Sequence, residues 1–280
     1  MPTCFYLLSM LLYAFISCTD DAKIPEPIPG IELKNNLVKN IRGISLPQGF
    51  SYVDDHDSSY AAWLLDLKFK QDNRVYLYNG DLKSNQDIHY SVLDIPIGKK
   101  NLLQCADAAI KLRADHLFEK HRYDQIRFTA TSRDEIAFDG WLKGIRWKEK
   151  SGRLVSYNIH APVINIQDEY SAFMEIVFSY CGTYSLSNQL KTVYDEDSIK
   201  AGDIFIEGGF PGHAVTVMAV AKNKVEQRIF LLSQGYMPAQ DIHILKNLSN
   251  PQVSPWFKLS EIYPLYTPQW QFEKGSLKRW

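Results

Sequence analysis

Few residues in this chain have the types and spacing to do chemistry. The clearest set is a thiol, an imidazole and an amide: Cys105, His213 and Gln234. A thiol becomes a nucleophile when a base takes its proton, and an imidazole serves as that base when a third polar group holds its ring. His213 stands out by its setting, AGDIFIEGGFPGHAVTV over residues 201–217. A strand-like run from Asp203 to Ile206 ends in a turn built from Gly208, Gly209, Pro211 and Gly212, and a second apolar run begins at Ala214. Glycine lets backbone come close to a ligand, and histidine titrates nearest neutral pH. The same ring would also serve as a plain hydrogen-bonding group for a loop. Gln234 closes the apolar run IFLLSQG and is placed to orient His213 or to cap a turn. In the following loop, GYMPAQDIH, Asp241 is a second candidate to orient the ring and Tyr236 a candidate to line a cleft.

Cys105 lies four residues after Asn101, near the start of a helix predicted over NLLQCADAAIKLRADHLFEKH with Asn101 as its cap. A helix N-terminus favours a thiolate. The competing readings are a small buried side chain or a disulfide to Cys181, since an oxidising compartment pairs leftover cysteines. Asp54-Asp55-His56-Asp57 reads as a solvated loop, and the chain has no glycine-rich phosphate motif and no zinc motif. Neither a metal nor another cofactor is expected.

The elements that must position these groups begin with a short helix over Tyr60–Leu67, a strand over Arg74–Tyr78 before the turn Asn79-Gly80, and a strand over Ser91–Ile95. After the Asn101 helix come a strand over Gln125–Ala130 and a helix over Gln167–Tyr180. Residues 131–166 read as a surface helix or loop followed by a strand near Leu154–Tyr157; Trp141 to Lys150 is a glycan-contacting face or a loop with buried tryptophans. Strands follow at Ile204–Ile206, Ala214–Ala221, Ile229–Leu232 and Ile242–Leu245. Helices first and antiparallel strands later predict an α+β fold.

Residues 4–16 carry no charge but are too short for a membrane span, which needs ~20 apolar residues. They suit a signal peptide. Phe15-Ile16-Ser17-Cys18 resembles a lipobox, which makes Cys18 the lipid attachment site; the alternative is an ordinary signal cut near Ser17. Three alternating prolines between Ile24 and Gly30 form an extended tether. The expected layout is 1–18 signal with lipobox, 19–35 tether and 36–280 a single α+β domain, held to the cell envelope through its lipid. The net charge of -1, with no basic face or arm, argues against a nucleic-acid partner.

Residues 169–234 resemble the NlpC/P60 branch of papain-like cysteine hydrolases, which cut peptides in bacterial cell walls. The order EYSAFMEIVFSYCGTYSLSNQL, IKAGDIFI, GHAVTVMAV, IFLLSQG carries the likeness. It implies a papain-like arrangement over about 165–250, with helices packed on an antiparallel sheet. It gives His213 the place of the base and Gln234 that of the orienting group, and puts Tyr170 in the cysteine slot. On that basis the domain is expected to bind cell-wall peptide or glycan in a groove at His213, with Tyr170, Gly212 and Tyr236 as contacts. The alternative is an active amidase or peptidase using Cys105, which keeps the papain order of cysteine, histidine, amide. The whole mature chain is also similar to the family known as domain of unknown function 4846, through YNGDLKSNQDIHYSVLDI, LLQCADAAIKLRADHLF, PGHAVTVMAV and GYMPAQDIHILKN. That likeness implies a shared fold and an envelope setting and brings no activity with it.

Overall fold

The structure is a computed structural model and describes residues 38–53, 56, 59–160 and 163–280. The signal, lipobox and tether expectations, Cys18 among them, lie outside the described residues, as do Asp54, Asp55 and Asp57. Five helices are described: α1 (Tyr60–Leu65), α2 (Cys105–Glu119), α3 (Phe138–Leu142), α4 (Ile166–Tyr180) and α5 (Thr183–Gln189). The strands are β1 (Ser51–Tyr52), β2 (His89–Val92), β3 (Arg127–Thr129), β4 (Glu135–Ala137), β5 (Ile145–Lys150), β6 (Arg153–Asn158), β7 (Lys191–Thr192) and β8 (Ile204–Glu207). They continue as β9 (His213–Lys222), β10 (Arg228–Gln234), β11 (His243–Leu245), β12 (Phe257–Lys258), β13 (Leu265–Tyr266), β14 (Gln271–Phe272) and β15 (Leu277–Arg279).

Nine of these strands form one sheet in the order β2-β11-β10-β9-β8-β15-β7, with β1 beside β9 and β12 beside β10. Every pairing in it is antiparallel. The protein is α+β. The centre of the sheet, HAVTVMAVAK in β9, is buried along nearly its whole length. A strand covered on both faces must be apolar on both, and its sequence reads as an unbroken run. Val215 and Val217 join one cluster with Phe205, Phe230 and Phe272. Ala214 joins the opposite cluster with Ala106, Ala109 and Phe173, on the side of α2 and α4.

Helix α2 packs on β9 by small side chains: Ala106, Ala108, Ala109 and Ala114 are all buried. It starts later than the spacing predicts. Gln104 is the N-cap, and its backbone N–H donates to Asp107 Oδ2 at 3.0 Å. Asn101 instead accepts from the Ala239 N–H at 2.7 Å and so ties the helix approach to the 235–243 loop. This makes Cys105 the first helical residue. Helix α4 is amphipathic, with Tyr170, Phe173, Met174 and Val177 buried one to two turns apart. Asn165 caps it, and Asp168 and Glu169 in its first turn suit the positive end of the helix dipole.

The region 131–166 holds a hairpin that the sequence reading missed in part. β5 and β6 meet at Ser151 and Gly152, both with positive φ (54° and 74°). That is the backbone a tight two-residue hairpin requires. Trp141 and Trp147 are buried and stack at 6.4 Å, so they serve the core and not a ligand face. Among the described residues, no helix is long and apolar enough to cross a membrane.

Candidate functional site

Three elements converge at one end of the sheet: the start of α2, the start of β9 and the end of β10. Gly212 belongs to the turn before β9. A Cβ there would lie 2.6 Å from Glu207 O and 2.8 Å from Gly209 N, so only glycine fits. Gly235, just past β10, is held as closely: a Cβ would come 2.7 Å from Gln104 O. These two close approaches lock the strand ends against the helix start.

The Cys105 thiol points at that lock. Sγ lies 3.9 Å from the Gly212 carbonyl oxygen, on the helix side of the strand. The His213 ring stands beside Tyr236 (5.2 Å), Trp270 (5.4 Å) and Phe272 (5.9 Å), on the face of the sheet away from α2. Its Nε2 is 3.0 Å from Gln234 Oε1. The Gln234 amide nitrogen donates to Gln269 Oε1 at 2.8 Å and lies 3.4 Å from His243 Nε2. His243 Nδ1 is 2.8 Å from the Asp241 carbonyl oxygen. Lys83 Nζ donates to Gln269 Oε1 at 3.1 Å and to Gln240 Oε1 at 3.2 Å, and sits 5.1 Å over the Tyr236 ring.

Burial sets the electrostatics. The Cys105 thiol is pushed up to about 11 by burial and by the Asp107 carboxylate, against the pull of backbone N–H groups including those of Ala106 and Ala214. The expected lowering by the helix N-terminus is therefore overturned: desolvation outweighs the dipole at a residue only 7% exposed. Cys105 and Cys181 are both free, so the disulfide reading is overturned too. His213, 1% exposed, is lowered to about 4 by burial and by Lys83, with the Gln234 bond working the other way. His243 is lowered to about 3, chiefly by burial.

Other expected site residues fall elsewhere. Asp241 does not orient His213: its carboxylate pairs with Lys70 at 2.7 Å and accepts the Tyr76 N–H at 3.1 Å. Only its backbone carbonyl serves the cluster, through His243. Tyr170 is not brought to the site. It donates to Asp115 Oδ1 at 2.7 Å, stacks on Phe118 at 4.1 Å, and lines a separate cleft of about 410 Å³ with Lys111 and Met174. Gly212 and Tyr236 are brought to it. Lys83, His243, Gln269 and Trp270 are members that sequence reasoning missed. Their only signal was the unexplained crowding of polar residues around GYMPAQDIH and YNGDLKSNQ. Among the described residues, no cluster of three or more His, Cys, Asp or Glu side chains could hold a metal ion.

The buried neutral imidazoles predict acid lability. A histidine whose folded pKa is depressed contributes stability above its unfolded value of ~6.5, and that contribution is lost as pH falls through the folded value. His213 and His116 (each about 4) and His243 (about 3) set the window at pH 6.5 down to about 3. His116 tests this away from the site: its ring packs between Tyr60 and Trp63, and neither ring nitrogen has a partner. Replacing an unpartnered buried polar group by an apolar one of like shape is neutral or stabilising. His116→Phe is expected to hold its denaturation midpoint better between pH 6.5 and 4 than wild type. Parallel midpoint-against-pH curves would refute it.

Fold and site together define an α+β protein with a buried cysteine, histidine and glutamine cluster at one end of an antiparallel sheet. The chain belongs to the family described as Domain of unknown function (4846), whose model matches residues 41–279. No curated protein and no solved structure matches it.

Proposed function

We propose that this protein is a module that binds peptides of the bacterial cell wall at His213 without cutting them. One observation carries the reading: the Cys105 thiol meets the Gly212 carbonyl on the helix side of β9, while the His213 ring stands on the opposite face, held to Gln234 at 3.0 Å and flanked by Tyr236, Trp270 and Phe272. Among the described residues no hydrogen bond joins the thiol to the ring, and burial keeps both neutral. The Gln234 bond occupies Nε2. Nδ1, the ring nitrogen nearer the backbone, makes no hydrogen bond among the described residues and is the atom left to meet a ligand.

The NlpC/P60 likeness of residues 169–234 points to peptides of the bacterial cell wall as the ligand class. Residues 4–18 point to an envelope lipoprotein anchored through Cys18. A second reading, a hydrolase of such peptides with Cys105 as nucleophile and His213 as base, is favoured by the place of Cys105 at the start of a helix.

Iodoacetamide labelling of Cys105 separates the two. The full chain would carry Cys4→Ser, Cys18→Ser and Cys181→Ser so that only one thiol reacts. The rate at pH 7 is expected to be the same in wild type and in His213→Ala, or labelling to require unfolding, because the ring does not assist the thiol. A fall of about tenfold or more in His213→Ala would show a base at work and would overturn the binding reading in favour of the hydrolase.

A further inference from the structure

We infer that Lys83 is a positioning residue that fixes the proton polarity of the site and holds His213 in the tautomer with its hydrogen on Nε2 and its lone pair on Nδ1. For its use the inference rests on the binding reading, since that tautomer offers a ligand an acceptor at Nδ1. It rests on geometry for its content.

Two fixed points set the direction of every bond. The first is Lys83: burial lowers its pKa to about 8, so at pH 6.5 it is an ammonium, which can only donate. The atom of Gln269 that faces it must therefore be the amide oxygen, and that oxygen accepts at 3.1 Å. The same oxygen lies 2.8 Å from the Gln234 side chain, so Gln234 must present its NH2 there. The second fixed point is the Asp241 backbone carbonyl, which can only accept. His243 Nδ1, 2.8 Å away, must carry a hydrogen. Burial keeps His243 neutral, so its Nε2 is a bare acceptor. That nitrogen lies 3.4 Å from the same Gln234 NH2.

Both arms reach the same conclusion about Gln234. Its nitrogen faces Gln269 and His243, and its oxygen faces His213. His213 Nε2 must then donate, and in a neutral ring Nδ1 is left bare. The Lys83 arm is the stronger, because its bond to Gln234 through Gln269 is short and the His243 contact is long.

Lys83 is an unusual residue to find here. It is 6% exposed, and among the described residues no carboxylate pairs with it. The titratable groups around it are His89, His213, His243 and Tyr236. A lysine that served only to fill space would be replaced at a gain by an apolar chain, since burying an unpaired ammonium is costly. Its donors serve the amides of Gln240 and Gln269 instead.

The test reads the tautomer directly. Long-range proton–nitrogen correlation spectra of the full chain labelled with 15N-histidine distinguish a protonated from a bare ring nitrogen. At pH 6.5, where Lys83 is charged and both rings are neutral, the wild type is expected to show His213 with hydrogen on Nε2 alone and His243 with hydrogen on Nδ1. In Lys83→Met a second His213 population with hydrogen on Nδ1 is expected, because Gln269 is free to turn its amide. Gln269→Leu, at a half-buried position, should produce the same second population, and it decides the matter if Lys83→Met does not fold. Wild-type His213 with hydrogen on Nδ1, or an unchanged tautomer in every variant that folds, overturns the inference. The spectra need no ligand. The expected tautomers together with Cys105 labelling that depends on His213 would uphold the role of Lys83 and defeat the binding reading.

Discussion

His213→Ala is expected to leave the acylation of Cys105 by an activated ester at its wild-type rate, because the thiol and the ring stand on opposite faces of β9. The measurement is the release of nitrophenol when the full chain, with Cys4, Cys18 and Cys181 changed to serine, meets p-nitrophenyl acetate. Cys105→Ala should abolish the acylation. A positioned acid–base group supplies about 10²–10⁴-fold, so a slowing of that size in His213→Ala would end the binding reading and establish the hydrolase.

A large loss of stability is expected at the far side of β8. Asp203 is fully buried. Arg279 donates to both of its carboxylate oxygens at 2.7 Å, and the Lys200 N–H adds a third bond at 3.0 Å. Burial alone would push this acid up, and the guanidinium opposes it. Removing one partner of a buried pair strands the other charge and costs about 3–5 kcal/mol, whereas replacing both by apolar groups is often neutral. Arg279→Leu should therefore lower the urea midpoint strongly, and Asp203→Leu/Arg279→Leu should recover most of it. A drop of less than ~1 kcal/mol in the single variant would show the pair to be incidental. The pair matters to the fold because β15, which carries Arg279, lies inside the sheet between β8 and β7.

The strands that frame the site were legible because they are unbroken apolar runs between turn residues; β8, β9 and β10 follow the predicted spans closely. The start of α2 was not, because Asn101 looks like a cap by type and spacing while its side chain is taken by Ala239. Only tertiary contact separates those roles. Strands β12 to β15 escaped because two or three residues carry no period to read. Among site residues, Gln234 beside His213 was readable from a single polar group closing an apolar run. Lys83 was not: a lysine in a polar stretch reads as solvated, and nothing local says that Gln240 and Gln269 will close over it. Asp241 misled for the opposite reason. It has the right chemistry at the right distance in sequence, and Lys70, far away in the chain, claims it.

The polar network draws its members from residues 83, 213, 234, 240, 243 and 269, so the most distant are separated by much of the chain. A chain emerging from the ribosome carries Cys105 long before Gln269 exists. Until that glutamine docks, nothing fixes the direction of the Gln234 amide. The Cys105 thiol changes in the opposite sense. In a half-made or misfolded chain it is exposed and ionises as an ordinary thiol, whereas folding buries it and raises its pKa. An alkylating or oxidising reagent therefore distinguishes the unfinished chain from the finished one, and the fold shields the thiol it encloses.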